Sequence, residues 1–125
     1  MFKINEEDKS IYLTRGDAAI LKIEIEDEEG NAQTFNPGNV VRFKVTDKKG
    51  CGRALLQKDV TVNEETTEVQ IPLTRDETKL GEIISAPKDY WYEIELNPDT
   101  APQTIIGYDE DGAKILKLFP EGGDM

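Results

Sequence analysis

The clearest strand pattern in the chain is Tyr90-Trp91-Tyr92-Glu93-Ile94-Glu95-Leu96. At a period of two residues, the two tyrosines and the two aliphatic residues share one side, and Trp91, Glu93 and Glu95 share the other. An apolar side opposite a polar side is typical of a half-buried strand. We therefore expect this segment to lie in a sheet that covers a core, with Trp91 facing outward.

Short strand patterns recur along the rest of the chain, separated by turns rich in glycine, proline, asparagine and aspartate. The predicted strands are Ile11–Thr14, Ala18–Glu26, Ala32–Phe35 as a short hairpin return, Val40–Thr46, Leu55–Val62 as one kinked strand or two short ones, a run around Val69, Ile71 and Leu73, Thr104–Tyr108 and Ala113–Phe119. Such regular short strands favour an antiparallel β-sandwich of about seven to nine strands, with an up-and-down barrel as the alternative.

Alternation within these strands also predicts which side chains face inward. The predicted inward residues of the second strand are Leu21, Ile23 and Ile25. Alternation places Val41, Phe43 and Val45 on one side of their strand and Val69, Ile71 and Leu73 on one side of theirs. In the last strand Ile115 and Lys117 lie on one side and Leu116 and Leu118 on the other, and the pattern leaves open which side faces inward. Pro72 has no amide donor. Its strand therefore either ends there or places Pro72 where an amide would face solvent.

One stretch, Thr74–Leu80, has helical character. Thr74 and Glu77 have the spacing of a capping box, and Gly81 supplies a stop. We expect one short helical turn here before the central strand. Where the chain crosses between sheets, Tyr90 or Tyr92 is expected to supply a tyrosine-corner hydrogen bond.

A length of 125 residues indicates one domain spanning residues 1–125. Residues 1–9 are expected to be a flexible arm or a first edge strand, and residues 120–125 a tail. The first twenty residues show no signal-peptide pattern, and no apolar run reaches the roughly 18 residues of a membrane span. The expected origin is the cytoplasm.

Charge argues against two classes of partner. The chain has 26 acidic and 15 basic residues, no histidine and a formal net charge of −11. Phosphate groups would be repelled by this field, so we expect neither a nucleic-acid binder nor an anionic-membrane binder. The single cysteine, Cys51, excludes an internal disulfide and offers no zinc-ligand spacing.

The chain shows no catalytic pattern, and we expect no enzyme, cofactor or metal. Without histidine the commonest catalytic base is missing, and Ser10 and Ser85 lack the flanking glycines of a nucleophile elbow. Asp109–Gly112 resembles a calcium loop, but its glycine is fourth rather than sixth, so a hairpin turn is favoured over a weak cation site.

The tripeptide Arg15-Gly16-Asp17 matches an integrin-recognition sequence, which requires an exposed loop tip. The simpler interpretation is that Gly16 and Asp17 form the bend between two strands.

The strongest functional candidate is the outward side of the central strand. Trp91 lies there beside Glu93 and Glu95, and an outward tryptophan is either part of a contact surface or covered by a neighbouring loop. Trp91 and the tyrosines are also the residue types of a sugar-stacking platform, which keeps a carbohydrate-binding or adhesin-type domain as the alternative.

Four features together resemble a known family. They are Ile11–Ala19 running into an alternating strand, the acidic turn Asp27–Gly30 leading to Phe35–Val45, the pair Leu55–Lys58 and Ile71–Thr78, and Tyr90–Leu96 followed by Thr104–Gly107 and Phe119–Glu121. This order resembles the immunoglobulin-like tail proteins of phages and prophages, and is similar to the N-terminal domain of the siphophage baseplate upper protein.

The resemblance implies an immunoglobulin-like β-sandwich and a non-enzymatic structural role in a phage tail or baseplate. It implies protein–protein contact with other tail proteins, location in the virion after synthesis in the bacterial cytoplasm, and assembly as a homo-oligomer, since tails are symmetric.

Overall fold

The computed structural model describes residues 2–4, 9–24, 29–47, 54–82, 84–97, 100, 103–106 and 114–120. Its regular elements are the strands β1 (Phe2–Ile4), β2 (Ile11–Thr14), β3 (Ala19–Ile23), β4 (Val40–Thr46), β5 (Ala54–Thr61), β6 (Val69–Leu73), β7 (Lys88–Leu96), β8 (Gln103–Ile106) and β9 (Lys114–Phe119). The described chain is all-β, as its alternating pattern predicts.

The central strand β7 contacts three neighbours in a seven-stranded sheet. The main path of this sheet runs β1-β2-β9-β7-β4-β5. On one edge β7 is antiparallel to β4. On its other edge it pairs with β9 along its first half and with β8 along its second half. Beyond β9, strand β2 runs parallel and β1 returns antiparallel as an edge strand. Of the two expectations for residues 1–9, the edge strand is the one observed for Phe2–Ile4.

The second sheet consists of β3 and β6. The two strands are antiparallel, and Ile20 lies opposite Pro72. Strand β6 continues through Pro72 to Leu73, and in the described part of the chain it pairs only with β3. The strand therefore does not end at Pro72, which occupies a position in a two-stranded sheet where a missing amide is tolerated.

Both sheets contribute to one hydrophobic core, an arrangement compatible with a β-sandwich. The core residues are Ile11, Leu13, Ala19, Leu21, Ile23, Phe35, Val41, Phe43, Val45, Val62, Val69, Ile71, Leu73, Leu80, Tyr90, Tyr92, Ile94, Leu116 and Leu118. The residues that alternation places on the apolar sides of β3, β4, β6 and β7 are in this set, except Leu96, which is partly buried against it, and Ile25, which lies outside the described residues. In β9 the inward side is that of Leu116 and Leu118.

Segment 54–61 is one strand, which resolves the choice between one kinked strand and two short ones. The predicted return strand Ala32–Phe35 is wrong. Phe35 instead forms an isolated bridge with Thr66, through hydrogen bonds of 2.6 and 3.1 Å in the two directions. Phe35 is only 1% exposed, so its apolar character reflects burial in a loop.

The predicted helical turn is not confirmed, because the described residues contain no helix. Residues 75–78 form a turn in which the Thr78 amide donates to the Thr74 carbonyl over 3.1 Å. The capping box itself does form, since the amide of each of Thr74 and Glu77 donates to the other's side chain, at 2.9 and 3.2 Å. A segment this short cannot repay the cost of helix nucleation on its own.

The two tyrosines of β7 have different partners from those expected. The Tyr92 hydroxyl donates to the carbonyl of Lys9, which is distant in sequence. The Tyr90 hydroxyl is buried against Gly81 and has no hydrogen-bond partner within the described residues. Neither tyrosine therefore forms the expected corner bond.

The bend interpretation of Arg15-Gly16-Asp17 holds. Gly16 has a φ of 87°, and the Asp17 amide donates to the Thr14 carbonyl over 3.1 Å. Arg15 is 9% exposed and points toward the Gly81 carbonyl, 3.4 Å away. A buried arginine does not present the opposite charges that integrin recognition requires.

Cys51 and the Asp109–Gly112 turn lie outside the described residues. A search of the described chain found no helix long and apolar enough to cross a membrane.

Candidate functional site

The candidate surface is the outward face of the seven-stranded sheet, defined here by the outward side chains of β2, β4, β5, β7 and β9. On β7 the alternation predicted from sequence holds: Tyr90, Tyr92 and Ile94 are buried, whereas Trp91, Glu93 and Glu95 are half-buried on the opposite side. The three predicted site residues therefore lie on one face, in successive cross-strand rows of the sheet.

Trp91 lies near the middle of this face. It is opposite Ile115 on β9 and opposite Thr46 on β4, so it is flanked by strands on both sides. Both Trp91 and Ile115 are half-buried. A large aromatic ring beside a branched aliphatic residue is the kind of apolar contact area that protein interfaces use at their centres.

An aromatic pair lies further along the same face of the sheet. The rings of Tyr12 on β2 and Phe119 on β9 have centroids 6.2 Å apart and are tilted by 48°. Tyr12 is outward because its neighbours Ile11 and Leu13 are buried, and Phe119 follows the alternation of Ile115. This pair was not predicted from sequence, because alternation indicates that each residue faces outward but not that β2 lies beside β9.

Ion pairs between neighbouring strands surround the apolar residues. Arg42 donates to both carboxylate oxygens of Asp59, at 2.8 and 3.0 Å, in the row that also contains Glu95. Lys44 lies 3.9 Å from Glu93. In the row next to that of Trp91, which also contains Tyr12 on β2, Lys117 on β9 lies opposite Asp89 on β7, with 3.9 Å between the charged atoms.

The ion pair between Arg42 and Asp59 also affects the ionisation of the Asp59 carboxyl. The hydrogen bonds from Arg42 hold the pKa of the Asp59 carboxyl below its usual range, and they outweigh the opposing effect of partial burial. Asp59 is therefore charged at neutral pH and keeps Arg42 in place along the sheet.

The charge of this face differs from that of the whole chain. On β4, β5, β7 and β9 its outward charges are three cations, Arg42, Lys44 and Lys117, and four carboxylates, Asp59, Asp89, Glu93 and Glu95. One net negative charge remains, compared with −11 for the chain. A partner that approaches this face meets little net repulsion.

A search of the described residues for clusters of three or more aspartate, glutamate or cysteine side chains that could hold a metal ion found none. Comparison of the chain with protein-family models, with curated proteins and with solved structures gave no match.

Proposed function

We propose that this chain is a non-enzymatic structural module that binds another protein through the outward face of its seven-stranded sheet, in the tail or baseplate of a phage or prophage. The observation that carries the contact function is Trp91, a tryptophan placed near the middle of a sheet face whose charges are almost balanced. Tryptophan is among the residues most enriched at the energetic centres of interfaces.

The ion pairs support the same proposal. Arg42–Asp59, Lys44–Glu93 and Lys117–Asp89 are formed within one copy of the chain. These side chains already have partners, so burial of the face would leave few charges uncompensated. They would form the polar rim around an apolar centre made by Trp91 and Ile115.

An immunoglobulin-like sandwich is the finer fold we propose. The order β9-β7-β4-β5 in one sheet and β3-β6 in the other corresponds to strands G-F-C-C′ and B-E of variable-type immunoglobulin domains. This correspondence, together with the family resemblance of the strand and turn sequences, supports the tail assignment.

The test uses a lysogen from which the coding sequence has been deleted, with the chain supplied in trans. Wild type, Trp91→Asp and the control Gln70→Asp are compared by quantitative mass spectrometry of purified particles. Gln70 is exposed on the other sheet, so its substitution adds the same charge elsewhere. A central contact of this kind contributes about 2 kcal/mol or more, so we expect incorporation of Trp91→Asp to require roughly 30-fold more protein.

Thermal unfolding of each variant establishes that it is folded. Equal incorporation of Trp91→Asp and Gln70→Asp would contradict the assignment of the contact face. A glycan array probed with the wild-type chain addresses the carbohydrate-binding alternative, since Trp91-dependent glycan binding without incorporation into particles would favour an adhesin-type domain.

A further inference from the structure

A groove lies where the chain crosses from the seven-stranded sheet to the smaller sheet. Strand β5 ends at Thr61 and β6 begins at Val69, and residues 62–68 connect them. Residues from β5, from this connection and from β6 line the groove, which has a volume of about 230 Å³. Small-molecule sites usually have volumes of roughly 300–1,000 Å³, so a groove of this size suits one side chain of a partner rather than a whole cofactor.

The bottom of the groove is apolar and its rim is acidic. Val62 and Val69 are 5% and 4% exposed, and Val60 is half-buried. Glu64 and Glu68 also line the groove, and of these Glu64 is exposed and Glu68 is half-buried. The groove therefore combines an apolar contact area with two negative charges.

Hydrogen bonds within the chain hold the connection in place. At its start, the Val62 amide donates to the Asn39 carbonyl over 2.8 Å. Near its end, the Thr66 hydroxyl donates to the Glu68 carbonyl over 2.9 Å and accepts from the Glu68 amide over 3.2 Å. Thr66 also forms the isolated bridge with Phe35. Because the connection is already ordered, binding at the groove costs little conformational entropy in this chain.

Within the described chain, no ion pair compensates the two glutamates of the groove. The Glu68 carboxylate accepts a hydrogen bond from the neutral side-chain amide of Gln70 over 3.2 Å. Lys22 lies opposite Gln70 on β3 but forms no ion pair with Glu68. By contrast, Asp59 on β5 is paired with Arg42. A cation stabilises a half-buried carboxylate more than a neutral amide does, so the groove favours a positively charged group from another molecule.

We propose that this groove binds a lysine or arginine side chain of another protein. The aliphatic part of that side chain packs on the valines, and its cationic end lies between the carboxylates of Glu64 and Glu68. An apolar side chain would fill the same volume but would desolvate the two carboxylates without compensating their charge.

The groove is separate from the outward face of the seven-stranded sheet. Val60 lies opposite the buried Val41, so it belongs to the core side of β5. Trp91 and the ion pairs around it lie on the other side of the same sheet. Binding at the groove therefore does not depend on the function proposed above.

The test is an NMR titration with a capped glycine–arginine–glycine peptide, compared with the same peptide carrying citrulline, an uncharged side chain of nearly the same shape. Salt at about 0.15 M, where the Debye length is about 8 Å, screens the long-range field of the chain. The arginine peptide should bind with millimolar affinity and shift the methyl signals of Val60, Val62 and Val69 in a saturable way. The citrulline peptide should bind about fivefold more weakly, because it makes neither ion pair. Equal affinity of the two peptides, or no methyl shift at about 50 mM arginine peptide, would overturn the proposal.

Two double variants separate the groove from the net charge of the chain. Glu64→Gln/Glu68→Gln removes both carboxylates of the groove. The matched control Asp76→Asn/Glu82→Gln removes two exposed carboxylates beyond the other end of β6, so the two variants have the same net charge. The first should weaken binding of the arginine peptide by about fivefold or more, and the control should bind it as wild type does. Equal weakening by both would show a response to overall charge alone and would contradict the assignment of the groove.

A second measurement does not rely on the charge variants. Nuclear Overhauser effects should connect the methylene protons of the peptide's arginine with the methyl protons of Val60, Val62 and Val69, because these groups would be in contact. Effects confined to residues outside the groove would overturn the proposal. Gln70→Asp adds a carboxylate to the rim and should not weaken binding of the arginine peptide, so it remains a suitable control for the outward face.

Discussion

Ile94 and Trp91 lie on the same strand but on opposite faces of the sheet. Ile94 is 1% exposed and packs in the core, whereas Trp91 is half-buried on the outward face. Truncating a buried isoleucine removes apolar contacts and leaves a cavity, so Ile94→Ala should lower the free energy of unfolding by about 2–5 kcal/mol. Trp91→Ala should cost less, as measured by urea titration. Equal losses would contradict the assignment of the two faces.

Gly81 and Tyr90 form a tight contact just before the central strand. Gly81 has a φ of +59°, and a Cβ atom at this position would lie 2.7 Å from the Tyr90 hydroxyl oxygen. Gly81→Ala should therefore destabilise the chain by about 1–2 kcal/mol from backbone conformation alone, with a steric contribution in addition. Tyr90→Phe should cost little, because the hydroxyl it removes has no hydrogen-bond partner in the described chain.

The two substitutions should also be coupled. In the double variant the clash is relieved, so its loss of stability should be smaller than the sum of the single losses by about 0.5 kcal/mol or more in denaturant titrations. Strict additivity would show that the hydroxyl does not restrict residue 81.

For individual residues, the sequence indicated on which face of a strand each side chain lies, but it did not indicate individual polar contacts. Alternation along a strand reports which side avoids water, so the inward set and the outward position of Trp91 could both be predicted. The bond from the Tyr92 hydroxyl to the Lys9 carbonyl joins residues 83 positions apart. Local pattern contains no information about such a contact, and the corner bond expected for one of these tyrosines was wrong for that reason.

For the secondary-structure elements, the alternation of apolar and polar residues located the strands. Residues that favour turns indicated where the strands end. The error at Ala32–Phe35 has a definite cause, since a loop residue buried beneath a sheet gives the same apolar signal as a strand residue. The helical turn failed for another reason. The capping box formed, but so short a segment does not repay the cost of helix nucleation, and the Thr78 hydroxyl accepts a hydrogen bond from the Gly16 amide, outside the segment, at 3.0 Å.

The turn around Glu77 makes the stability of the chain depend on pH. Partial burial raises the pKa of the Glu77 carboxyl, but hydrogen bonds from Lys58 and Thr74 outweigh it and hold the pKa below its usual range. A carboxyl whose pKa is lower when folded contributes stability above its unfolded pKa, and this contribution disappears as the pH falls through the folded value. The relevant range begins near the unfolded pKa of about 4.3 and extends downward.

We therefore expect Glu77→Gln to be less stable than wild type at pH 7 and the difference to shrink as the pH falls from about 5 toward 3. Chemical denaturation at several pH values measures this directly. In a Lys58→Met background the effect of Glu77→Gln should be smaller at pH 7, because the main hydrogen-bond partner is gone. A difference that stays constant from pH 7 to pH 3 would contradict the role of this carboxylate.

At the level of the whole molecule, the sequence favoured a two-sheet sandwich but could not predict which strands belong to which sheet. Strands β2 and β3 are consecutive and separated by a short bend, yet they belong to different sheets. The parallel pairing of β2 with β9 joins the two ends of the described chain. Alternation reports that a strand has a buried side, but it does not report which strand lies beside it.

The distribution of charge connects the fold to the proposed function. A chain with a net charge of −11 opposes close approach by acidic partners, but the outward face of the seven-stranded sheet keeps its charges nearly balanced through cross-strand pairs. The apolar residues of that face lie among these pairs. The surface best suited to protein contact is therefore the one that contains Trp91.

Quantitative mass spectrometry of particles purified after prophage induction in the source strain tests the structural role most directly. The proposal predicts that this chain is present in a fixed ratio to the tail-tube protein in every preparation of intact particles. Its absence from intact particles, while the protein is abundant in the same lysate, would contradict a role in the virion.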